Sequence, residues 1–153
     1  MNIEWIREAF APSDDGDAGL PFLLQIQEEW RDFMKIQRGD ILFANLGRYQ
    51  GSVQGGNRPV VVISNNRVNR YSTVITVVPL STKVGKKKNL PTHVFVPASS
   101  AGGPEHDSIA LCEQVISLDV ENVQEHIGRL EQGLLDKVTE AVQIQIGVFE
   151  EYN

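Results

Sequence analysis

The chain has 153 residues, a formal net charge of −6 and a single cysteine, Cys112. A chain of this length can bury a core without disulfides, and one cysteine cannot form a disulfide within the chain. Its longest apolar run is far shorter than a membrane span, and charged residues near the N-terminus exclude a signal-peptide core. We therefore expect a cytoplasmic protein that has no membrane partner.

The charge is unevenly distributed along the chain. Residues 1–40 hold four basic and nine acidic side chains, and residues 91–153 hold two basic and eleven acidic ones. Residues 41–90 hold no carboxylate and eight basic side chains: Arg48, Arg58, Arg67, Arg70, Lys83, Lys86, Lys87 and Lys88. Such a stretch attracts phosphates, so it predicts a surface for a polyanion, RNA above all.

The segment up to residue 37 differs from the rest of the chain. Residues 11–17 are acidic and rich in turn formers, which predicts a linker, and Pro21 can open an amphipathic helix after it. We therefore predict an N-terminal extension, residues 1–37, and a main domain, residues 38–153. The sequence leaves open whether the helix packs on its own domain, on a second copy or on another protein.

The main domain begins with strand-like patterns and ends with helical ones. Strands are predicted at residues 40–46, 59–64, 73–80, 93–96 and 108–116, with a glycine-rich loop at 47–56, a turn after Asn65 and Asn66, and a lysine loop at 86–88. A short helix is predicted from Asp119 and a longer one from Glu131 to about residue 147, whose apolar side comprises Leu134, Leu135, Val138, Ala141, Val142, Gln145 and Phe149. The pattern indicates an α+β, mainly β fold, either a small barrel or a curled sheet.

Several enzyme classes are excluded by their missing motifs. The chain has no P-loop and no dinucleotide-binding glycine pattern, and its three histidines lack ligand spacing, so neither a metal site nor a cofactor is expected. The basic stretch also lacks the paired carboxylates of a two-metal nuclease. RNA can nevertheless be cleaved without a metal, because the ribose 2′-OH is an internal nucleophile beside the phosphorus.

One constellation could support this chemistry. Arg58 follows the glycine-rich loop at the start of a buried strand, and Ser81, Thr82 and Lys83 end the next strand. An arginine can clamp a phosphate and stabilise developing charge, and a hydroxyl can orient the phosphate or relay a proton. Neighbouring strands could bring Arg58 and Ser81 to one rim. The alternatives are a surface arginine and a serine that bonds the turn backbone.

These residues also carry a resemblance to MazF/PemK-type toxins, from about residue 38 to residue 148. The matching segments are Arg38-Gly39-Asp40-Ile41, Gly51-Ser52-Val53-Gln54-Gly55-Gly56-Asn57-Arg58-Pro59 with the strand after it, Leu90-Pro91-Thr92-His93-Val94, Cys112-Glu113-Gln114-Val115 with Leu118-Asp119, and Leu135-Asp136-Lys137-Val138. The resemblance implies a small SH3-like β-barrel of the MazF/PemK/CcdB type with a C-terminal helix. It also implies a homodimeric, metal-independent and sequence-selective endoribonuclease for single-stranded RNA, inhibited by a cognate antitoxin and binding DNA with it.

The resemblance assigns roles to individual residues. It implies that Arg58 is the catalytic arginine and Ser81 its hydroxyl partner, with Thr82 as the alternative. Ser52 and Gln114 match RNA-binding positions, and the loop and the basic stretch add Arg48, Gln54, Lys83 and Lys87 as RNA-binding residues. Tyr49, beside Arg48, is either a stacking surface for a base or an ordinary exposed tyrosine.

Two features depart from the family pattern. Val53 replaces the glutamate usual in the loop, which bears on rate and sequence preference, and the N-terminal extension is an addition. An alternative therefore stays open, in which the protein is a binding protein of the same fold without nuclease activity, either a gyrase poison or a degenerate RNA-binding member.

Overall fold

A computed structural model of the chain describes residues 35–86 and 90–149, which lie within the compact unit Gln37–Asn153 apart from residues 35 and 36. The predicted N-terminal extension, apart from residues 35–37, lies outside the described residues, as does Lys87. The division of the chain at residue 37 therefore stays a prediction. Among the described residues, no helix is long and apolar enough to cross a membrane.

The described part contains seven strands and two α-helices. The strands are β1 Asp40–Asn45, β2 Asn57–Val62, β3 Val74–Ser81, β4 His93–Val96, β5 Ser108–Leu111, β6 Ile116–Asp119 and β7 Val123–Arg129. The helices are α1, Asn66–Tyr71, between β2 and β3, and α2, Gln132–Gln145, after β7. Two short 3-10 helices span Val84–Lys86 and Val120–Asn122.

All seven strands belong to one antiparallel sheet. Its hydrogen-bonded order is β4-β5-β3-β2-β1-β7, while β6 pairs with the first half of β3. In the described part, β4 and β7 are the two ends of this path and do not pair with each other, so the predicted barrel is not closed. The predicted fold class, a mainly β sheet with a C-terminal helix, is confirmed.

A buried cluster lies between one face of the sheet and α2; it includes Val61, whereas Val60 and Val62 are buried outside this cluster. Val60, Val61 and Val62 of β2 are fully buried, as a continuous β-branched run predicts. Each such side chain stabilises the fold by roughly 1.5–3 kcal/mol relative to an exposed one. From α2, the buried residues are Leu135, Val138 and Ala141. Gln145 and Phe149, which were predicted on the same apolar side, are exposed because the helix ends at Gln145 and the chain then leaves the core.

A buried carboxylate fixes the start of the domain. Asp40 is 1% exposed, and its two oxygens accept hydrogen bonds from the backbone N–H of Gln37 at 2.8 Å and from Nε of Arg129 at 2.9 Å. Arg38 donates to the carbonyl of Ile63 and to the hydroxyl of Thr139 on α2. These bonds tie β1 to β7, to the end of β2 and to the helix.

The structure corrects three of the predicted elements. The turn after Asn65 is α1, because the Asn65 side chain caps the helix by accepting a hydrogen bond from the Val68 N–H at 2.9 Å. The predicted strand 108–116 is two strands, β5 and β6, separated by a turn in which the Gln114 N–H donates to the Leu111 carbonyl at 3.0 Å. Strand β7 was missed, because its residues are mostly polar and exposed and because, among the described strands, it pairs only with β1.

Candidate active site

The 47–56 loop joins β1 to β2 and is closed by its own backbone. The Leu46 N–H donates to the Gly56 carbonyl at 2.9 Å, and the Gly56 N–H donates to the Gly47 carbonyl at 2.7 Å. Gly56 has a φ of +70°, which favours glycine. At Gly55, a Cβ would lie 2.6 Å from the backbone nitrogen of Tyr49, so no larger residue fits without displacing the loop. The glycine pattern therefore reflects the tight closure of the loop.

Arg58 extends from the second residue of β2, where the loop ends. Its Nε donates to the Gly55 carbonyl at 3.0 Å, its Nη1 to the Leu80 carbonyl at 3.4 Å and its Nη2 to the Tyr49 hydroxyl at 2.8 Å. These bonds use three of the five guanidinium N–H groups. Among the described residues, one N–H on Nη1 and one on Nη2 therefore remain open for a ligand.

Ser81 is the last residue of β3, the neighbour of β2. The β2–β3 register ends at the pair of Val60 with Pro79, and continued by two residues it would set Arg58 opposite Ser81. The observed contact at this end is the bond from Nη1 of Arg58 to the carbonyl of Leu80, the residue before Ser81. Ser81 is 5% exposed, and its Oγ accepts a hydrogen bond from the Lys83 N–H at 3.3 Å. Thr82, the alternative hydroxyl, is exposed and lies one residue past the strand. The pairing favours Ser81 over Thr82 as the neighbour of Arg58.

Gln114 holds the loop from the other side of the site. Its Oε1 accepts a hydrogen bond from the Gln54 N–H at 2.8 Å, and its Nε2 donates to the Ser52 carbonyl at 3.0 Å. Three residues that were predicted to bind RNA thus meet in the structure. The side chain of Ser52 is exposed, and Val53, which lies between Ser52 and Gln54, is 47% exposed.

The predicted basic residues lie in two different places. Arg48 is exposed in the 47–56 loop, and Lys83 is exposed just beyond Ser81, so both flank the Arg58 end of the strands. Arg67 and Arg70 lie on α1, which joins the end of β2 to the start of β3. At about 3.3 Å per residue, the length of β3 separates the two groups by roughly 20 Å. The described basic residues of the stretch therefore form two groups, because the chain reverses direction between them.

A hydrogen-bonded cluster beside Gln114 was not predicted. Glu113 accepts from the hydroxyl of Thr92 at 3.2 Å, and its other oxygen lies 2.9 Å from Nε2 of His93. His93 is 7% exposed in its side chain, and its Nδ1 is buried without a partner in the described part of the chain. The cluster holds the side chain of Glu113, the residue that precedes Gln114. In the sequence, only the family resemblance linked the segment of Thr92 and His93 with the segment of Glu113. The spacing between these two segments does not predict that they are in contact.

Cys112 also adjoins this turn and is chemically inert. It is fully buried, and burial, followed by the charge of Glu113, raises the pKa of its thiol to about 12. The thiol is therefore protonated at neutral pH and is not a nucleophile. The interpretation of Cys112 as a small buried apolar residue is confirmed.

Together, these residues form a site suited to a phosphodiester. Arg58 keeps one N–H on each of its two terminal nitrogens without a partner among the described residues, and a guanidinium can hold two oxygens of one phosphate. Ser81 contributes a hydroxyl from the next strand, and the loop held by Gln114 forms one wall. Tyr49 is the residue that the sequence left undecided, and its hydroxyl accepts from Arg58.

Comparison with known proteins places the chain in a family. The model of the PemK-like, MazF-like toxin of type II toxin–antitoxin systems matches residues 37–146. Endoribonuclease EndoA of Bacillus subtilis is 40% identical over 117 residues, which cover 76% of this chain and 99% of that protein. Endoribonuclease MazF of Staphylococcus saprophyticus is 36% identical over 113 residues, which cover 74% and 92%.

Solved structures share the fold at lower identity. MazF from Deinococcus radiodurans in its Form-I crystal has a TM-score of 0.62 at 22% identity, covering 73% of this chain and 96% of that one. A mycobacterial endoribonuclease in complex with its cognate antitoxin has a TM-score of 0.62 at 20% identity, covering 76% and 99%. The sequence matches and the shared fold agree, and the chain belongs to the PemK-like, MazF-like toxin family of type II toxin–antitoxin systems.

Proposed function

We propose that the protein is a metal-independent, sequence-selective endoribonuclease that cleaves single-stranded RNA. The observation that carries this proposal is the Arg58 guanidinium, which reaches the end of β3, the strand that Ser81 ends, and keeps two N–H donors without a partner in the described part of the chain. Two relatives with 40% and 36% identity are named as endoribonucleases, which supports the same activity here.

In this mechanism the RNA supplies its own nucleophile. The ribose 2′-oxygen forms a bond to phosphorus, the bond from phosphorus to the 5′-oxygen breaks, and the 2′ proton is transferred away as the 5′-oxygen gains one. The products are a 2′,3′-cyclic phosphate, or its 3′-phosphate hydrolysis product, and a 5′-OH. Arg58 stabilises the charge that develops on the non-bridging oxygens.

Ser81 acts beside Arg58 as a hydrogen-bond donor. Its Oγ accepts from the Lys83 N–H at 3.3 Å, which leaves the hydroxyl proton for a phosphate oxygen. Thr82, being exposed beyond the strand, is the alternative donor. In this proposal, Arg58 and the Ser81 hydroxyl hold the scissile phosphate from two adjacent strands.

The surrounding residues bind the RNA on either side of that phosphate. Ser52, Gln54 and Gln114 form the loop wall, and Arg48, Lys83 and Lys87 supply positive charge along the rim. Val53, exposed where the family usually has a glutamate, presents an apolar surface to the RNA. It is therefore a source of altered base preference.

The remaining parts of the proposal concern partners and organisation. We propose a cytoplasmic homodimer inhibited by a cognate antitoxin and binding DNA with it; a relative of this fold has been solved with its antitoxin. The exposed apolar residues at the end of α2 and beyond offer a surface for the second copy: Ile144, Ile146, Val148 and Phe149. We also propose a division into an extension, residues 1–37, and a toxin domain, residues 38–153; the family match over residues 37–146 supports a boundary near residue 37.

The test is incubation with a long single-stranded RNA in EDTA, followed by analysis of the ends. We expect cyclic or 3′-phosphate and 5′-OH ends, and a loss of about 10²–10³-fold for Arg58→Ala, the scale of removing a main transition-state donor. Arg70→Ala is the matched control, because Arg70 lies on α1 at the other end of β3.

Each contrary outcome has its own meaning. Cleavage that EDTA abolishes contradicts metal independence, and full activity of Arg58→Ala contradicts the mechanism. Intact RNA at high protein concentration, together with tight RNA binding or gyrase inhibition, selects the non-catalytic alternative. Sequencing of the RNA ends identifies the recognition sequence, and random ends contradict selectivity.

A further inference from the structure

Tyr49 makes two contacts with the same guanidinium group. Its hydroxyl accepts a hydrogen bond from Nη2 of Arg58 at 2.8 Å, and its ring centroid lies 5.7 Å from Cζ of Arg58. The second distance is within the range of a cation–π contact. Tyr49 is nevertheless 63% exposed, so its position is not explained by packing in the core.

The loop is shaped around this tyrosine. A Cβ on Gly56 would lie 3.4 Å from the Tyr49 ring, and a Cβ on Gly55 would lie 2.6 Å from its backbone nitrogen. The two glycines therefore let the loop backbone approach both the main chain and the ring of Tyr49. The side chain is held in place next to Arg58.

Arg58 makes two other hydrogen bonds through its guanidinium group, and they differ in length. Nε bonds the Gly55 carbonyl at 3.0 Å, but the bond from Nη1 to the Leu80 carbonyl is long, at 3.4 Å. Among the described residues, Tyr49 is the side chain that hydrogen-bonds the guanidinium. Its hydroxyl accepts from Nη2, and its ring centroid lies within cation–π range of Cζ, so one side chain makes both contacts with the group.

We propose that Tyr49 is a positioning residue for RNA cleavage, which sets the Arg58 guanidinium so that its two open donors face one phosphate. The inference rests on the proposed function. A planar fork binds two phosphate oxygens only when its plane is aligned with them, and donors aligned in advance require no reorganisation during the reaction. Tyr49 acts through Arg58 and does not itself contact the reacting atoms.

Single-turnover cleavage at saturating protein tests the inference, since it separates the rate from the half-saturating protein concentration. Tyr49→Phe keeps the ring and removes the hydroxyl, and we expect its rate to fall roughly five- to tenfold, the scale of one typical net hydrogen bond. Tyr49→Leu also removes the ring and is expected to fall a further two- to fivefold, roughly the scale of an exposed cation–π contact. The half-saturating concentration stays within about twofold, because binding by the rest of the site is unchanged.

A matched control and a double variant separate positioning from a general structural effect. Tyr71→Phe alters another exposed tyrosine stacked on arginine, at the far end of β3, and keeps the wild-type rate. In an Arg58→Lys background the planar fork is gone, so adding Tyr49→Leu changes the residual rate by less than about twofold.

The outcomes distinguish this inference from the function on which it rests. If the wild-type protein does not cleave RNA, both the proposed function and the inference about Tyr49 are wrong. If the wild-type protein cleaves RNA and the Tyr49 variants cleave it at the same rate, only the role of Tyr49 is wrong. A raised half-saturating concentration with an unchanged rate means that the ring stacks on a base. Equal losses from Tyr49→Leu in the wild-type and Arg58→Lys backgrounds mean a general effect on the loop, and either of these last two results overturns the inference.

Discussion

The Gln54 N–H donates to Oε1 of Gln114 at 2.8 Å, although 60 positions separate the two residues. The same amide donates through Nε2 to the Ser52 carbonyl at 3.0 Å. One side chain from the turn between β5 and β6 therefore fixes both ends of a three-residue segment in the 47–56 loop. The residue that was predicted to bind RNA is also the residue that shapes the wall where RNA is expected to bind.

Replacing Gln114 with alanine should release this segment. We expect the half-saturating RNA concentration to rise about tenfold, because two hydrogen bonds of roughly 0.5–1.5 kcal/mol each are lost. Gln124→Ala is the matched control, since Gln124 makes one exposed side-chain hydrogen bond, to Asn57 at 3.2 Å. RNA binding and amide hydrogen exchange at Gln54 measure the two effects.

The exchange measurement identifies which role dominates. Faster exchange at Gln54 together with weaker binding supports the clamp. Weaker binding with unchanged exchange would mean that Gln114 acts only by contacting RNA. In that case the loop does not depend on this residue.

Substitution of Gly55 tests the close approach within the loop. Gly55→Ala places a Cβ 2.6 Å from the Tyr49 nitrogen, so the loop has to move and the Arg58 Nε loses its carbonyl partner. We expect at least a tenfold loss of cleavage with a smaller change in stability, about 1–2 kcal/mol, typical of local strain. Gly85→Ala is the control and keeps full activity, because its Cβ would meet no atom within 4 Å among the described residues beyond its two chain neighbours.

Cleavage assays and urea unfolding of the two glycine variants provide the comparison. Equal activity of Gly55→Ala and Gly85→Ala would show that the loop tolerates displacement. The positions of Tyr49 and Arg58 would then not depend on tight closure.

The approach of Arg58 to the end of β3, where its Nη1 donates to the Leu80 carbonyl, could be predicted from strand geometry. When two consecutive strands pair antiparallel, the start of the first lies beside the end of the second. The contact between Gln114 and the loop could not be predicted this way. It depends on the order of strands in the sheet, where β5 and β6 both pair with β3.

Other differences arise where local patterns are weak. The six-residue helix α1 depends on one capping side chain, Asn65, and β7 has polar, exposed residues that show no apolar alternation. The run from Ser108 to Ile116 is apolar enough to resemble one strand, and the turn within it is defined by backbone bonds. The charge count along the chain placed Arg67 and Arg58 in one basic stretch, although the length of β3 separates them in the structure.

The buried thiol of Cys112 predicts a pH dependence of stability. Its pKa is raised from 9.0 to about 12 in the folded protein, so above pH 9 the unfolded chain loses a proton that the folded one keeps. The free energy of unfolding should therefore fall as pH rises from 9 to 12. Between pH 8 and pH 10.5 this single group should lower it by about 2 kcal/mol.

Urea unfolding of the wild type and of Cys112→Ala at both pH values isolates this contribution. The variant is less stable at pH 8 because a cavity replaces the sulfur. Its loss on going to pH 10.5 should be about 2 kcal/mol smaller than that of the wild type. Parallel pH profiles would mean that the thiol ionises in the folded state.

The separation of the basic residues predicts which of them the RNA neutralises. Binding of uniformly 2′-O-methyl RNA, which lacks the nucleophile, can be measured against salt without cleavage. Arg48→Ala and Lys83→Ala should each reduce the slope of log K against log salt by about 0.7, the contribution of one phosphate on a single strand. Arg67→Ala and Arg70→Ala should leave the slope unchanged, because α1 lies at the opposite end of β3. An equal reduction by the α1 variants would mean that RNA follows the whole length of the strand and that the basic stretch acts as one surface.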